Sequence, residues 1–409
     1  MNKKTKTIVS LFTYGGGMRG LIPAHIMARM EYMTGLRMTD MVDIFTGPST
    51  GAILNAALNV PSAKRPDRPK YRAQHLVKFY EREGIKIFPD DRYRSFRGFV
   101  HDFNHRTLKL SQMNKLLRHG HYDPSYLGSA LQRLYGDTNL QDSLKSLIIP
   151  TYNIDGAQIH PASEADESED SPTRTQNNLN DEGGHAVWLK NIRTNQPLGA
   201  AHKTPLVSLH DAVMGSCAAP TYFPSHHMNV EYPDERGKVD ITAIDGVIFD
   251  NPCISYLGAI RRHIPADTRH IMIILGTGYI NKSVKKEDWN RFGSLGVVDP
   301  VNDLPLINIF FHASESALMD SFSEEMSGNL HIFNKPMLNL KNPEAPTTLI
   351  DDAHPENIKA LKWFYEEMME ENKSQFEDLC HFLVANYENK QKASSSNSRS
   401  FFSFFTGKK

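Results

Sequence analysis

Apolar residues in the first 60 positions form short β-rich runs and stretches with helical spacing, one after the other. These patterns predict strands that alternate with helices. Residues 7–12 (TIVSLF) are rich in β-branched and aromatic residues, and this favours a strand. Over residues 21–35 apolar side chains recur at helical spacing, and Gly35 suits the helix end. Residues 42–46 repeat the strand pattern and residues 52–60 repeat the helix pattern. This order predicts an α/β fold with a mainly parallel central sheet.

The same patterns continue along the chain. Helical spacing recurs at residues 76–89, 111–135 and 355–393, and apolar runs typical of buried strands occur at residues 147–154 and 271–275. Residues 161–184 are polar and acidic and have few apolar side chains to bury. They predict a mobile surface insertion.

The C-terminal residues change character at Ala393. The chain becomes rich in Ser and Asn there and ends FFSFFTGKK, a composition typical of a disordered tail. Phe401, Phe402, Phe404 and Phe405 stand beside basic residues, a combination that suits insertion into a membrane interface. A membrane contact and a terminus without function are equally compatible with this sequence.

Bulk composition narrows the class of protein. With 409 residues, 40% hydrophobic and 23% charged, the chain is typical of a soluble globular protein with a sizeable core. Its formal net charge of −1 gives no general attraction to nucleic acid, so we expect no nucleic-acid partner. The three cysteines (Cys217, Cys253 and Cys380) form no CxxC pair and are too scattered for a disulfide framework. A reducing compartment is therefore expected.

The N-terminal apolar run is interrupted by Tyr14 and a glycine cluster, which favours a first strand over a signal peptide. No segment approaches the roughly 18 consecutive apolar residues of a membrane span. If the protein acts on lipid, we expect it to approach the bilayer from the water side.

Residues 15–20 (GGGMRG) lie between the first predicted strand and the first predicted helix. They fit GxGxxG, the fingerprint of dinucleotide-binding loops. Glycines at this place can also direct backbone N–H groups toward a developing anion, or they can form a simple tight turn. The motif alone does not choose among these three interpretations.

Residues 47–51 (GPSTG) form a GxSxG motif directly after a predicted strand and before a predicted helix. A nucleophilic serine needs a sharp turn that exposes its hydroxyl, and the flanking glycines leave room for the strain. This context favours a nucleophile at Ser49 over a serine in an ordinary turn. An ordinary α/β-hydrolase is disfavoured because the motif follows a single strand–helix unit. The downstream histidines also lack a triad context: His226, His227, His270, His312, His331 and His354.

Asp245 and Gly246 lie in AIDGVIFDNP, where a predicted strand meets a turn. A carboxylate can act as the general base for a serine when burial raises its proton affinity. The dipeptide Asp-Gly is also a common turn. Asp250 is a nearby alternative, to which the Asp-Asn-Pro turn signal assigns a structural role.

These three motifs, in this order, resemble those of the patatin-like phospholipases. The family patterns DGGGxRG, GTSTG and DG followed by Gly or Ala correspond to YGGGMRG, GPSTG and DGV here. Further matches are FYEREGIKIFP (79–89), LIIPTYNI (147–154), SCAAPTYFP (216–224), LGTG (275–278) and IDDAHPENIKAL (350–361). The resemblance implies a three-layer α/β/α sandwich. It also implies a catalytic domain over residues 1–370, a helical extension over 371–392 and a tail over 393–409.

The resemblance also implies roles for individual residues. Ser49 is then the nucleophile and Asp245 the base that activates it without a histidine. The N–H groups of Gly15, Gly16 and Gly17 form the oxyanion hole, and Arg19 braces their loop. The implied activity is that of a lipid acyl hydrolase of the phospholipase A or lysophospholipase type, with an acyl-enzyme and no metal or cofactor. Phospholipid, lysophospholipid and galactolipid remain open as substrates, as does a protein activator.

Three positions depart from the family pattern: Tyr14 replaces Asp, Pro48 replaces Thr, and Val247 replaces Gly or Ala. None of these changes removes a catalytic group, so the hydrolase interpretation is kept. They nevertheless support an alternative, a catalytically inactive lipid-binding or regulatory module on the same fold. A dinucleotide-binding protein is disfavoured because Asp40 and Asp43 precede or open the second strand, whereas the motif needs an acidic residue at its end.

Three locations are consistent with these features. They are the cytoplasm, the periphery of a membrane, and a host cell reached by a bacterial effector that is exported without a classical signal peptide.

Overall fold

A computed structural model describes residues 6–89, 122–155, 183–193, 204–220, 222–234, 236–279, 284–296, 305–337 and 344–406. Within these residues eight strands form one sheet. They are β1 (Thr7–Thr13), β2 (Ile44–Thr46), β3 (Ser146–Asn153), β4 (His185–Asn191), β5 (His226–Glu231), β6 (Lys238–Ile244), β7 (Arg269–Leu275) and β8 (Leu330–Phe333).

The strand order across the sheet is β5-β6-β3-β2-β1-β7-β8, and β4 pairs with β3 off this path. Five adjacent strands run parallel to one another, in the order β3, β2, β1, β7 and β8. The pairings β3–β4, β3–β6 and β5–β6 are antiparallel. The predicted α/β fold with a mainly parallel central sheet is confirmed.

Eleven α-helices belong to the described part of the chain. They are α1 (Leu21–Thr34), α2 (Met38–Met41), α3 (Thr50–Asn59), α4 (Ala73–Ile87), α5 (Pro124–Tyr135), α6 (Leu209–Ser216), α7 (Pro252–Ser255), α8 (Lys286–Gly296), α9 (Pro305–Glu325), α10 (Pro355–Glu371) and α11 (Lys373–Thr406). A 3₁₀ turn (Gly17–Gly20) precedes α1, and another (Gly246–Phe249) follows β6.

Both faces of the sheet are buried. Successive side chains of a strand point to opposite faces, so each strand contributes to two cores. Val9 and Leu11 of β1 belong to a large core that also contains side chains of α1, α3, α4, α10 and α11. Ile8 and Phe12 belong to a smaller core with side chains of α7 and α9. These two cores make the molecule the expected three-layer α/β/α sandwich.

The predicted elements near the N-terminus agree with the structure in type and order. The first helix ends at Gly35, whose φ of 70° is left-handed. The second strand is shorter than predicted, because α2 ends at Met41 and the strand pairing begins only at Ile44. Within the predicted helix at 111–135, residues 111–121 lie outside the described part, and so do residues 161–182 of the predicted insertion.

The predicted helical region at 355–393 is divided at Asn372 into α10 and α11. Phe364 of α10 and Phe376 of α11 are both buried in the large core, so the start of α11 packs on the α/β sandwich. The backbone of α11 continues to Thr406, and Ala393 is therefore not a helix end. The division at 370 and 392 stays a prediction. No helix in the described ranges is long and apolar enough to cross a membrane.

Candidate active site

Ser49 lies in a sharp turn between β2 and α3, with φ 51° and ψ −124°. Among the described residues it is the one non-glycine residue with positive φ. A Cβ atom at Gly47 or Gly51 would lie 2.0 or 2.1 Å from the carbonyl oxygen of Thr13, so neither position admits a side chain. Backbone strain of this kind costs on the order of 1–3 kcal/mol and persists only where the surroundings enforce it. The turn has the geometry that the GxSxG motif predicts.

Ser216, the last residue of α6, holds this turn in place. The backbone N–H of Ser49 donates to the carbonyl oxygen and to Oγ of Ser216, both at 3.1 Å. Ser216 Oγ donates in turn to the carbonyl oxygen of Pro150 at 2.6 Å. The resemblance singled out the SCAAPTYFP segment, but the sequence assigned no role to its serine.

Asp245 directly follows β6, is only 2% exposed, and lies close to the Ser49 side chain. Its Oδ1 accepts the N–H of Val247 at 2.8 Å. Burial raises the pKa of Asp245 to about 7, against the opposing effects of the Ser49 hydroxyl and the Val247 N–H. The carboxyl group therefore exchanges its proton near neutral pH, as a general base requires.

Cys217 is a second neighbour of Ser49 that the sequence analysis did not identify. Its thiol is buried and lies close to the Ser49 side chain. Burial raises the pKa of this thiol well above its usual range, and the charge of Asp245 raises it further. The thiol therefore stays protonated and uncharged. It lines the site and does not act as a thiolate nucleophile.

The glycine loop after β1 lies against Ser49. A Cβ atom at Gly15 would come within 3.3 Å of Ser49 Cβ. Gly16 and Gly17 have φ of 146° and 55°, and a Cβ at Gly17 would lie 2.2 Å from the carbonyl oxygen of Ile350. Both positive φ values and this close contact require glycine.

The three predicted oxyanion donors are not equivalent. The N–H of Gly15 donates to both carboxylate oxygens of Asp250, at 2.9 and 3.1 Å. The N–H groups of Gly16 and Gly17 have no acceptor among the described residues. Two of the three amides are thus available to an anion, and Gly15 is engaged elsewhere. Asp250 also has a role that its turn signal did not reveal.

Arg19 and Tyr14 stand on either side of this loop. The Arg19 guanidinium is buried, and its Nη1 lies 3.4 Å from Met337 Sδ. Burial lowers its pKa, whereas neighbouring Asp250 raises it. Tyr14, which replaces the family's Asp, donates its hydroxyl to Glu315 of α9. Neither side chain lines the cavity beside Ser49.

A small cavity of about 50 Å³ opens beside Ser49. Its walls are mostly apolar or aromatic. They include Ile53, Phe79, Tyr80, Phe88, Leu127, Tyr222, Phe223 and Ile350. Walls of this composition beside Ser49 suit an apolar group of a substrate.

Several histidines bond to side chains other than Ser49. His270 pairs with Ser10 Oγ at 2.8 Å, and both His210 and His226 contact Asp211. Within the described ranges no group of three or more His, Cys, Asp or Glu side chains is arranged to bind a metal ion.

Comparison with known proteins agrees with this geometry. A family model described as "Patatin-like phospholipase" matches residues 12–257, which include Ser49 and Asp245. Patatin-like protein 2 of Oryza sativa is 26% identical over 91% of this chain and 86% of its own. Patatin-16 of Solanum tuberosum is 22% identical over 87% and 82% of the two chains.

Among solved structures, VipD from Legionella pneumophila aligns over 91% of this chain and 67% of its own. The sequence identity is 13% and the TM-score is 0.37. A score this low does not establish a common fold.

Proposed function

The chain belongs to the patatin-like phospholipase family, and we propose that it is a lipid acyl hydrolase in which Ser49 and Asp245 form a catalytic dyad. The observation that carries the proposal is the strained turn that places Ser49 beside the buried carboxyl of Asp245, whose pKa burial raises to about 7. A strained, partly exposed serine beside a base that titrates near neutrality meets the requirements of nucleophilic catalysis.

In the proposed reaction Asp245 takes the proton of the Ser49 hydroxyl as Oγ attacks the ester carbonyl. The N–H groups of Gly16 and Gly17 donate to the oxyanion, while Asp250 holds the amide of Gly15. The alcohol or lysolipid leaves with the proton from Asp245. Water then attacks the acyl-enzyme with Asp245 again as base, which releases the fatty acid.

The apolar cavity supports a lipid ester as substrate, and phospholipid, lysophospholipid and galactolipid are the classes we propose. We also propose that contact with the membrane surface is transient and uses Phe401, Phe402, Phe404 and Phe405. Deleting residues 393–409 would then weaken vesicle binding while leaving the hydrolysis of a soluble ester unchanged.

The test is fatty-acid release from mixed phospholipid vesicles, in a calcium chelator, by wild type, Ser49→Ala, Asp245→Asn and the surface control Ser129→Ala. We expect release by wild type and the control alone. Activity that survives in Ser49→Ala would overturn the dyad. If wild type is silent, failure of a fluorophosphonate probe to label Ser49 would favour the inactive lipid-binding module instead.

A further inference from the structure

A second cavity, of about 300 Å³, lies next to the one that contains Ser49. The two share a wall of three side chains, Leu127, Cys217 and Phe223. Cys217 touches both spaces and lines the first together with Ser49. The second cavity therefore begins one side chain away from the proposed nucleophile.

Phe223 is the largest member of this wall. Its ring packs against Phe88 and Tyr122, with centroid distances of 5.9 and 6.0 Å. Phe88 belongs to the lining of the first cavity only. This aromatic cluster thus stands between two spaces, of which the first contains Ser49 and the second adjoins it through Cys217.

The second cavity changes character from its buried end to its open end. Leu127, Met214, Ala218 and Phe223 are buried at the inner end, whereas Asp123 is exposed at the mouth. Among the described residues of the lining there is no lysine or arginine.

A phosphate group would need cationic or N–H donors at such a site. His226, the one basic side chain that the described part of the lining contains, directs Nε2 to Asp211 at 3.1 Å. The inner end therefore suits a hydrocarbon chain better than a phosphorylated head group.

We propose that the second cavity binds the non-scissile acyl chain of a two-chain glycerolipid. The inference rests on the proposed function, because it takes Ser49 as the attacking group. The two esters of a diacylglycerolipid stand on adjacent carbons of one glycerol. When one ester carbonyl is at Ser49, the second chain starts beside the same site, and the wall at Cys217 and Phe223 directs it into the second cavity.

Gly128 of α5 lines the second cavity and not the first. A Cβ atom there would lie 3.6 Å from His210 Nε2 and 3.8 Å from Met214 Cε, which are ordinary contacts. Gly128→Leu therefore fills the cavity, and leucine is a better helix former than glycine. Ser129→Leu adds the same side chain at an exposed position of the same helix, outside both cavities.

The experiment compares dipalmitoyl and monopalmitoyl phosphatidylcholine in the same detergent micelles. For Gly128→Leu we expect kcat/KM to fall at least about tenfold on the two-chain lipid, since losing the burial of two methylenes is sufficient for that factor. Its kcat/KM on the one-chain lipid stays within about twofold, and Ser129→Leu matches wild type on both. Equal effects on the two lipids, or none, would overturn the proposal.

A binding measurement keeps this result separate from the dyad. Dialkyl and monoalkyl ether phosphatidylcholines, which have no ester, are titrated into Ser49→Ala with and without Gly128→Leu. A two-chain preference that Gly128→Leu abolishes supports the subsite even if the protein hydrolyses nothing. Equal affinities for the two ethers in Ser49→Ala would refute the subsite while leaving the hydrolase proposal intact.

Discussion

Both carboxylate oxygens of Asp250 accept the backbone N–H of Gly15. The two residues are 235 positions apart, and their contact joins the turn after β6 to the glycine loop after β1. Asp245 precedes the same turn, so one short segment contributes the proposed base and fixes the loop of the proposed oxyanion donors. The positions of the proposed base and of the proposed oxyanion donors are therefore coupled through Asp250.

Removing the Asp250 side chain is expected to lower kcat on a soluble ester by about 10²-fold, the usual effect of losing one oxyanion donor, with little change in KM. Asp250→Ala frees the N–H of Gly15 and releases the loop from its anchor. Asp250→Asn should recover most of the activity, because its amide oxygen still accepts that N–H. Steady-state kinetics of both variants test this, and equal losses in the two would contradict a positioning role.

Activity should follow the ionisation of Asp245. The ionised form is the base, and burial raises its pKa to about 7. We therefore expect kcat/KM on a soluble ester to rise with pH through about 7 and to level off above it. A pH–rate profile with its midpoint near pH 4, where an ordinary aspartate titrates, would contradict a base whose pKa is raised to about 7.

Asp245 should also make stability depend on pH. Its pKa is about 7 when folded, against the usual 3.8, so the folded state binds the proton more tightly than the unfolded state. The contribution of Asp245 to the free energy of unfolding is therefore fully present below about pH 4 and is lost as the pH rises toward 7. We expect Asp245→Asn to match wild type near pH 4 and to be more stable above pH 7, by on the order of 4 kcal/mol.

Urea denaturation of both proteins at a series of pH values measures this difference. A difference that stays constant with pH, or that is largest in acid, would count against ionisation of a buried Asp245 as its cause.

Gly246 should be intolerant of any side chain. A Cβ atom there would lie 2.2 Å from the carbonyl oxygen of Pro150 and would displace the neighbouring base. We expect Gly246→Ala to lose about 1–3 kcal/mol of stability and most of the activity. Gly258→Ala is the matched control, since its Cβ would meet Trp188 at an ordinary 3.4 Å. Thermal denaturation and ester hydrolysis of the two variants check the contrast.

The sequence was most informative where the information is local. The period of apolar positions identified β1, α1 and α3, because side-chain spacing follows directly from strand and helix geometry. The GxSxG motif predicted the turn at Ser49, because its glycines are needed within two residues of the strained position. Asp245 could be named only by combining a common turn dipeptide with the family resemblance. Its contact with Ser49 spans 196 positions, and turn chemistry does not encode such a separation.

Only the tertiary structure distinguished among the three glycines of the loop. Three identical residues gave no reason to separate Gly15 from Gly16 and Gly17, and the difference arises because the turn after β6 reaches the loop after β1 and brings Asp250 to one amide. The wall at Cys217 was also invisible in the sequence, since its two cavities are enclosed by segments distant along the chain. Periodicity and turn chemistry determine single helices, strands and turns. The burial of a side chain, its pKa and its hydrogen-bond partners depend on which elements the fold brings together.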